Sequence, residues 1–435
     1  YFLIAHKSEM IAIFNAETWF IISTLLAPIG FVLQDVVADA LTVEAIPKTD
    51  EKGNEIDFKT LKSLNIVMQL LGRVSIISGT LLVSLVNLVM FSDSSEMSEN
   101  EKIITYGKIY LYSLIVPAIS IIGVLFSFIN SKSRLNELVK NGLAFEKAYN
   151  LIYPISKTTN PNPTIIIGSL IFVIFTLSIG FSKIPFSQEI VFIGSLSIIV
   201  YLLVTLSSQL DAVSKRMLIG TAIVIFVFRA MPGVGPGASW FEIDILKFDQ
   251  EFLSFLGLIA SILTIFGIFV LRPLMENSSM SRLIVILSIA GSIFLLPSLG
   301  MFYGIHEITS KITNGIVDAR FIAIFNTALE SPLGQVSMIP ILAWIAQSAP
   351  NHLKATFFAV LASFTNLALS ASNLGTKYLN QIFVVTREVK SKSDEVITQA
   401  DYSELGILLI TVLLLTLILP ILATIFIRKL KLIAY

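Results

Sequence analysis

The chain has 435 residues, of which 55% are hydrophobic and only 14% are charged, and its 30 basic and 30 acidic side chains cancel to a net charge of zero. With a mean hydropathy of +0.83, this composition is that of a polytopic membrane protein, and it gives no basis for a nucleic-acid partner. The absence of cysteine excludes disulfides and thiolate metal sites, and we expect no cofactor.

Eleven apolar runs approach the roughly 20 residues that cross the hydrocarbon core of a bilayer. In chain order they lie at about 18–45, 63–90, 104–129, 163–181, 188–209, 217–246, 251–272, 282–303, 317–347, 353–382 and 404–428. The sequence therefore predicts an all-α polytopic membrane protein with about eleven transmembrane helices, surrounded by the lipid bilayer and monomeric.

Lysine and arginine are unevenly distributed between the loops that join these runs. One set of alternate loops is clearly richer in them, and it includes the polar stretch 131–162 and the chain after residue 428. Because translocated loops avoid Lys and Arg, this set is predicted to be cytoplasmic. We expect the chain to run inward from Trp19 and to place its C-terminus in the cytoplasm, in a plasma or inner membrane.

The loops also divide the chain into parts. We predict a stub of a preceding helix and outer loop at 1–17, the remainder of an N-terminal bundle at 18–130, a cytoplasmic linker at 131–162, an inserted hairpin at 163–209 and a C-terminal six-helix bundle at 210–435. The two runs of the hairpin hold no charged residue beyond Glu189 at their edge. We therefore expect the hairpin to face lipid and not to line a pathway.

Two carboxylates lie near the end of the first apolar run. Asp35 and Asp39 are four residues apart, so they share one helix face. At 1.5 Å per residue, Asp35 lies about 15 Å from the inner end of its helix, and Arg73 lies at the same depth in the next helix. Asp39 and Gln69 also lie at the same depth as each other, one turn nearer the cytoplasm, and so form a second polar level. These two levels predict polar contacts between the helices.

The contacts at these two levels have two interpretations. Arg73 and Asp35 are either a gate or a structural ion pair that holds two helices together. Asp39 favours a functional interpretation, because a like charge one turn away raises one pKa of the pair and favours a shared proton. Protons are therefore a candidate coupling ion.

The second half of the chain places further polar side chains at depth. Arg229 is roughly 20 Å from the inner end of its helix, and Glu330 is roughly 15 to 20 Å from the outer end of its own. Arg229 is the best candidate to hold an anionic substrate group, since its planar fork matches a carboxylate, and a salt bridge to Glu330 is the alternative. Gln335 and Asn366 are candidates to hydrogen-bond a heteroaromatic substrate ring, or else to join helices.

Directly after Arg229, the segment Met-Pro-Gly-Val-Gly-Pro-Gly-Ala-Ser at 231–239 is too rich in proline and glycine to continue a helix. Irregular backbone at membrane depth is tolerated where it lines protein or water. The segment predicts a broken helix at a site or gate, or else a loop at the outer edge.

Other classes of membrane protein fit less well. The three histidines, at positions 6, 306 and 352, are far apart in sequence and have no metal-ligand spacing, so an enzyme is not expected. A channel would need repeated pore-lining rings, which the sequence lacks. A relative that no longer transports and serves a structural or sensing role stays open.

Three stretches carry a family resemblance. The run from Gln34 to Glu44 resembles the Asp-x-x-x-Asp helix end of the folate-biopterin transporter family, a branch of the major facilitator superfamily. The stretches from Phe248 to Gly267 and from Leu333 to Asn373 are similar to the second half of the same family. With 18–130 included, the resemblance covers most of the chain apart from the hairpin.

The resemblance implies a two-bundle secondary transporter of folates, biopterin or related pterins, which works by alternating access and is a candidate for proton coupling. It implies that the first apolar run corresponds to the fourth of twelve helices, so that the runs at 18–130 match helices four to six and the first three are missing or reduced to the stub. It also implies an inner gate at Asp35 and Asp39. Transport of another small organic anion is the alternative.

Overall fold

The computed structural model describes residues 6–44, 46, 56–90, 98–153, 163–182, 184–208, 210–348, 354–390 and 396–432. Within these ranges the chain is helical apart from short connections and one two-stranded antiparallel hairpin, which confirms the predicted all-α class. The chain divides into two compact units. The first comprises residues 1–37 and 79–162, and the second comprises residues 38–78 and 163–435.

The first unit is built from six helices or parts of helices. They are α1 (Lys7–Ile13), most of α2 (Ala16–Glu44), the end of α3 (Phe58–Met90), α4 (Glu99–Tyr112), α5 (Ile115–Lys140) and α6 (Phe145–Ile152). The indole N–H of Trp19 donates to the Met10 carbonyl at 2.7 Å, which ties α1 to α2. Gln34 Nε2 donates to Ser120 Oγ at 3.1 Å and joins α2 to α5. Since α5 continues to Lys140 and α6 spans Phe145–Ile152, the described part of the predicted linker 131–162 is largely helical.

The predicted run at 104–129 is two helices, because α4 ends at Tyr112 and α5 begins at Ile115. Pro117 lacks the N–H that would bond the carbonyl of Ser113, so the helix cannot continue regularly through this point. The Val116 N–H bonds the Ser113 carbonyl instead, at 3.0 Å. A tight turn thus joins two helices that together are long enough to span a bilayer.

The second unit contains the rest of the described helices and both strands. In chain order these are α7 (Pro163–Gly180), α8 (Ser187–Ser207), α9 (Ala212–Arg229), α10 (Pro236–Asp244), α11 (Gln250–Val270), α12 (Arg272–Asn277), α13 (Met280–Phe302), α14 (Ile305–Ile312), α15 (Ala319–Glu330), α16 (Met338–Ser348), α17 (Lys354–Ile382), β1 (Val389–Lys390), β2 (Val396–Thr398) and α18 (Leu405–Lys429). The start of α3 also belongs to this unit.

Two predicted spans of this unit are interrupted. The run at 217–246 stops at Arg229 and resumes at Pro236, so the broken helix expected at 231–239 is present. The run at 317–347 was predicted as one helix, and this is wrong: α15 ends at Glu330, a short 3-10 turn follows, and α16 begins at Met338. Pro332 and Gly334 account for the break, since proline cannot donate the next helical bond and glycine weakens a helix interior.

The core of the second unit is apolar and closely packed. One buried cluster joins α8, α9, α13, α16 and α17 through side chains that include Leu206, Ile225 and Phe357. A second cluster packs Ile66 and Leu70 of α3 against α11, α12, α13 and α16. Burying such side chains stabilises the helix packing by dispersion, since lipid tails remove most of the hydrophobic driving force.

The hairpin of α7 and α8 is held together by close packing. A Cβ added at Gly194 of α8 would clash with the ring of Phe175 on α7, so only glycine allows this approach. The hairpin is not only lipid-facing, as the sequence led us to expect, because Glu189 forms an ion pair with Lys377 of α17 at 2.7 Å. That partner is 188 residues away, so the sequence could not reveal it.

By length and composition, seven helices of the described chain can cross a membrane. They are the spans 16–35, 58–83, 103–140, 187–207, 280–302, 356–382 and 405–429. Two shorter apolar helices, 166–180 and 255–270, complete the set of long apolar segments. With the two interrupted spans, this architecture is that of an integral multi-pass membrane protein.

Candidate functional site

Arg229 lies at the last position of α9, where the first interrupted span breaks. Its Nη1 donates to the sulfur of Met338 at 3.0 Å, and its Nη2 donates to Asn366 Oδ1 at 3.4 Å. The side chain is half-buried, and that of Asn366 is exposed.

The break itself is held by a polar stripe of α17, formed by Ser372, Thr376 and Asn380. Ser372 Oγ donates to the Met231 carbonyl at 2.6 Å, and Thr376 Oγ1 accepts the N–H of Gly233 at 2.9 Å. Asn380 Nδ2 donates to a third backbone group of the break, the carbonyl of residue 234, at 3.1 Å. The stripe thus satisfies backbone groups that the interrupted helix leaves unpaired, which irregular backbone at membrane depth requires. It fixes the position of the arginine at the end of α9.

The second interrupted span meets the first at Met338, which begins α16 at the positive end of its helix dipole. The break before it is anchored by Thr264 of α11, whose Oγ1 donates to the Ser331 carbonyl at 2.9 Å. A Cβ at Gly267 would collide with the Pro332 backbone, so α11 packs directly on the break. Two broken helices therefore converge beside one guanidinium.

A second guanidinium belongs to the same region. Arg73 of α3 lies within coulombic range of Arg229, and both residues are part of the second unit. The charges of both guanidinium groups act on this region of the unit. A guanidinium fork matches the geometry of a carboxylate.

The other predicted residues of the second unit lie at several places. Glu330 does not pair with Arg229; it accepts a hydrogen bond from Asn326 at 3.4 Å and lines a cavity of about 190 Å³ with Phe228. The buried Gln335 Oε1 has no hydrogen-bond partner in the described part of the chain. Gln69 is buried in α3 at 5% exposure.

The acidic pair near the end of α2 is divided by the boundary between the units. Asp35 belongs to the first unit, and its side chain is exposed. Asp39 belongs to the second unit, but its side chain lies outside the described residues. The contacts predicted for Asp35 with Arg73 and for Asp39 with Gln69 therefore stay predictions.

A polar cluster lies at the predicted cytoplasmic end of the second unit. Lys62 Nζ donates to the Ser278 carbonyl at 2.7 Å, and Ser63 Oγ donates to Glu276 Oε1 at 2.8 Å. Arg272 binds the same carboxylate oxygen at 2.8 Å. Burial raises the pKa of Glu276, but the hydrogen bonds from Arg272 and Ser63 outweigh it, so the pKa is lowered overall. This cluster ties the start of α3 to α12.

A second polar cluster lies at the predicted outer end of the same unit. Arg387 holds Asp244 with two hydrogen bonds, at 2.9 and 2.7 Å, and Tyr402 donates to the same carboxylate at 2.7 Å. Burial and the hydrogen bond to Asp244 raise the pKa of Tyr402 to about 12, so the phenol stays protonated at neutral pH. The end of α10 is thereby held to the loop that carries β1 and β2.

Sequence reasoning missed several residues that build this site. Met338 was missed because its thioether carries no charge and lies in an apolar run. The polar stripe of α17 has a signal that could have been found, since Ser372, Thr376 and Asn380 recur every four residues on one helix face. A regular polar face within an apolar helix indicates a polar partner.

Discontinuous helices occur at the binding sites of many membrane transporters. The fold itself is that of an integral multi-pass membrane protein. The chain belongs to the BT1 family, a family of membrane transporters, whose family model matches residues 7–434. The family predicted from the sequence is therefore confirmed, and it is a family of transporters and not of enzymes.

A relative with a curated name supports the same conclusion. The folate-biopterin transporter of Synechocystis sp. is 21% identical to this chain over 158 residues, which are 36% of the chain and 31% of the relative. The chain thus spans about a third of the length of the curated relative it matches. No solved structure matches the chain.

Proposed function

We propose that the chain carries a carboxylate-bearing pterin of the folate type across the membrane by alternating access. The observation that supports this most directly is the position of Arg229 at the junction of two broken helices, where the charge of Arg73 also acts on it. A guanidinium binds a carboxylate through two parallel hydrogen bonds. In this proposal Arg229 and Arg73 hold the carboxylate, while Asn366 and Gln335 hydrogen-bond the ring.

The broken helices contribute to binding in a second way. Half-helix N-termini near the middle of a membrane direct their positive ends at anionic substrate groups in other transporters. The start of α16 at Met338 is in contact with Arg229, so its dipole would add to the charge of the two arginines. Glu330 lines the neighbouring small cavity and would repel a carboxylate placed there, which favours the Arg229 side for the anion.

The transport experiment uses labelled folate and membrane vesicles that contain the full chain. We expect uptake that unlabelled folate and unlabelled biopterin both reduce, and that Arg229→Gln abolishes. Labelled-folate uptake that unlabelled biopterin fails to reduce would contradict recognition of the pterin ring. Absence of any uptake by the wild type, with correct insertion verified, would contradict the whole proposal.

Transport of another small organic anion is the second candidate function. It is favoured by the arginine pair, because a guanidinium recognises a carboxylate whatever ring it is attached to. The same vesicles distinguish the candidates. If unlabelled dicarboxylates without a pterin ring compete with folate as well as folate itself does, the substrate class is organic anions in general.

The acidic pair is the proposed site of proton coupling and of the inner gate, with Asp39 as the proton carrier. Replacing Asp39 by Asn removes the titrating group and keeps its shape. We expect the pH dependence of folate uptake to flatten in Asp39→Asn. A pH profile identical to that of the wild type would exclude Asp39 as the proton carrier.

A further inference from the structure

A second cavity of the second unit lies away from Arg229, between the hairpin of α7 and α8 and the outer half of α17. Its volume is about 550 Å³, which is in the range of pockets that hold small organic ligands. Thr176, Gln188 and Ser195 line it from the hairpin, and Asn373 and Lys377 line it from α17. Nothing in the function proposed above uses this space.

The polar lining is costly in a membrane-spanning region unless something hydrogen-bonds to it. Thr176 Oγ1 is buried and has no hydrogen-bond partner among the described residues. Asn373 carries an amide with two donors and one acceptor, and Gln188 carries another. These groups can bind a molecule that has several hydrogen-bonding atoms, which an acyl chain of a lipid does not.

The charge of the cavity is already balanced. Lys377 Nζ lies 2.7 Å from Glu189 Oε1, and the hydroxyl of Tyr378 donates to the same oxygen at 2.7 Å. The ammonium therefore has its counter-ion and presents no uncompensated charge. The ammonium and the carboxylate neutralise each other, so an anion or a cation would lose its hydration here without meeting a net opposite charge, and the cavity favours an uncharged molecule.

The walls of the cavity also carry aromatic rings. Phe172 of α7 and Phe192 of α8 both line it, and α7 and α8 are held close together by the contact of Gly194 with Phe175. Aromatic side chains favour stacked or edge-on contacts with flat rings. A flat ligand could therefore contact these rings while its polar edge reaches Thr176 and Asn373.

We propose that this cavity is a second ligand site, which binds an uncharged heteroaromatic ring with hydrogen-bonding groups along its edge. Biopterin is a representative of this class, and its choice as the probe rests on the proposed function. The site is distinct from the carboxylate site because it shares none of Arg73, Arg229 and Met338 with it. It would bind a ring that carries no acid group, whereas the transport site also holds a carboxylate through Arg229.

The test is equilibrium binding of tritiated biopterin to the full chain in lipid nanodiscs. Thr176→Val and Asn373→Leu keep the approximate shape of each side chain and remove its hydrogen bonds. We expect the double variant to weaken biopterin binding at least tenfold and to leave labelled folate uptake unchanged in the absence of biopterin. The single change Thr176→Val is nearly isosteric and should weaken biopterin binding several-fold. This variant can be measured instead if the double variant does not fold.

Matched control variants are available on the same helices. Ser197→Ala on α8 and Ser363→Ala on α17 remove hydroxyls that are exposed and donate only to their own helix, to the carbonyls of Ile193 and Ala359 at 2.8 Å. Both should bind biopterin as the wild type does. Arg229→Gln should abolish folate uptake and keep biopterin binding to the cavity.

The outcomes separate the two proposals. Biopterin binding that Arg229→Gln abolishes and the cavity variants leave intact would overturn the second site and leave the transport proposal standing. Absence of biopterin binding, or a lipid found by mass spectrometry as the occupant that the cavity variants release, would also overturn it. Biopterin binding that depends on Thr176 and Asn373 in a chain that takes up no folate would support the cavity and contradict the transport function.

Discussion

The role of Arg229 is clearest from a comparison of its guanidinium with the ammonium of a lysine. Its guanidinium reaches Met338 and Asn366 at once through two different nitrogens. A lysine keeps the charge but offers a single ammonium on a flexible stem, which cannot form the planar pair of bonds to a carboxylate. The geometry of this side chain, and not its charge alone, therefore determines substrate affinity in the proposed mechanism.

We predict that Arg229→Lys lowers kcat/KM for folate uptake at least tenfold, a loss of about 1.4 kcal/mol. Initial rates of labelled folate uptake in vesicles measure it. The matched control is Arg320→Lys, since Arg320 is a half-exposed arginine that pairs with Asp249 at 2.6 Å near the start of α11. Equal kcat/KM values for Arg229→Lys and the wild type would show that only charge matters at this position.

The lowered pKa of the Glu276 carboxyl group predicts that the stability of the fold depends on pH. Its folded-state pKa is lowered by the hydrogen bonds of Arg272 and Ser63, which outweigh the effect of burial, from an ordinary value of 4.5. The carboxylate therefore stabilises the fold at every pH above 4.5, and this contribution is lost as the pH falls through the lower folded-state pKa. Acidification, and not alkalinisation, should weaken the tie between α3 and α12.

The measurement is thermal unfolding of the purified protein between pH 7 and pH 3. We expect Glu276→Gln to lower Tm at pH 7 and to reduce the difference in Tm between pH 7 and pH 3. Glu307→Gln, at an exposed glutamate of α14, is the matched control. An acid dependence of Tm in Glu276→Gln as steep as that of the wild type would contradict this role.

Among the helices, α17 is the element on which the first break depends. Its polar stripe of Ser372, Thr376 and Asn380 replaces the helical hydrogen bonds that the segment after Arg229 cannot form. Removing the acceptor at Thr376 takes away the partner of the exposed Gly233 N–H, which costs about 0.5–1.5 kcal/mol, the net contribution of one hydrogen bond. The break should then open more often.

We predict that Thr376→Val lowers the unfolding free energy by about 0.5–1.5 kcal/mol and speeds amide hydrogen exchange at residues 231–235. Hydrogen exchange followed by mass spectrometry, in the same detergent as the unfolding measurement, detects both effects. Ser363→Ala on the same helix serves as the control. Exchange at 231–235 as slow in Thr376→Val as in the wild type would show that other contacts hold the break.

The two broken helices also show what could be predicted from sequence. The break at 231–239 was predictable because several prolines and glycines act locally on the backbone. The break after Glu330 was missed, because Pro332 and Gly334 are isolated in a long apolar run. The anchors of both breaks come from distant helices, through Thr264 and the stripe of α17, and periodicity within one segment contains no information about them.

For the molecule as a whole, composition and the apolar runs predicted the class of protein correctly, and three sequence stretches carried the family resemblance that the family model confirms. The pairing of charges was harder. The distance of each residue from the end of its helix predicted that Arg73 and Arg229 lie within the membrane. It could not show that the charge of one acts on the other. It also offered Glu330 as a partner for Arg229, whereas the arginine donates to a thioether and an amide. Depth orders residues along a helix, but which helices are neighbours depends on the packing of the whole unit.

The orientation of the chain can be tested directly, since the protein has no cysteine that would give a background label. Ser133 of α5 and Ser403 before α18 are both exposed. We predict that a membrane-impermeant maleimide labels Ser403→Cys in intact cells and labels Ser133→Cys only after permeabilisation. The opposite pattern would reverse the orientation inferred from the Lys and Arg distribution.

α17 bears on both proposed sites, with Asn366 next to Arg229 and Asn373 in the wall of the hairpin cavity. The two asparagines are separated by seven residues, or about 10 Å along one continuous helix. A movement of this helix that alters one site therefore displaces the other. Thermodynamic linkage is reciprocal. The factor by which a ring bound in the hairpin cavity changes the affinity for folate therefore equals the factor by which folate changes the affinity for that ring.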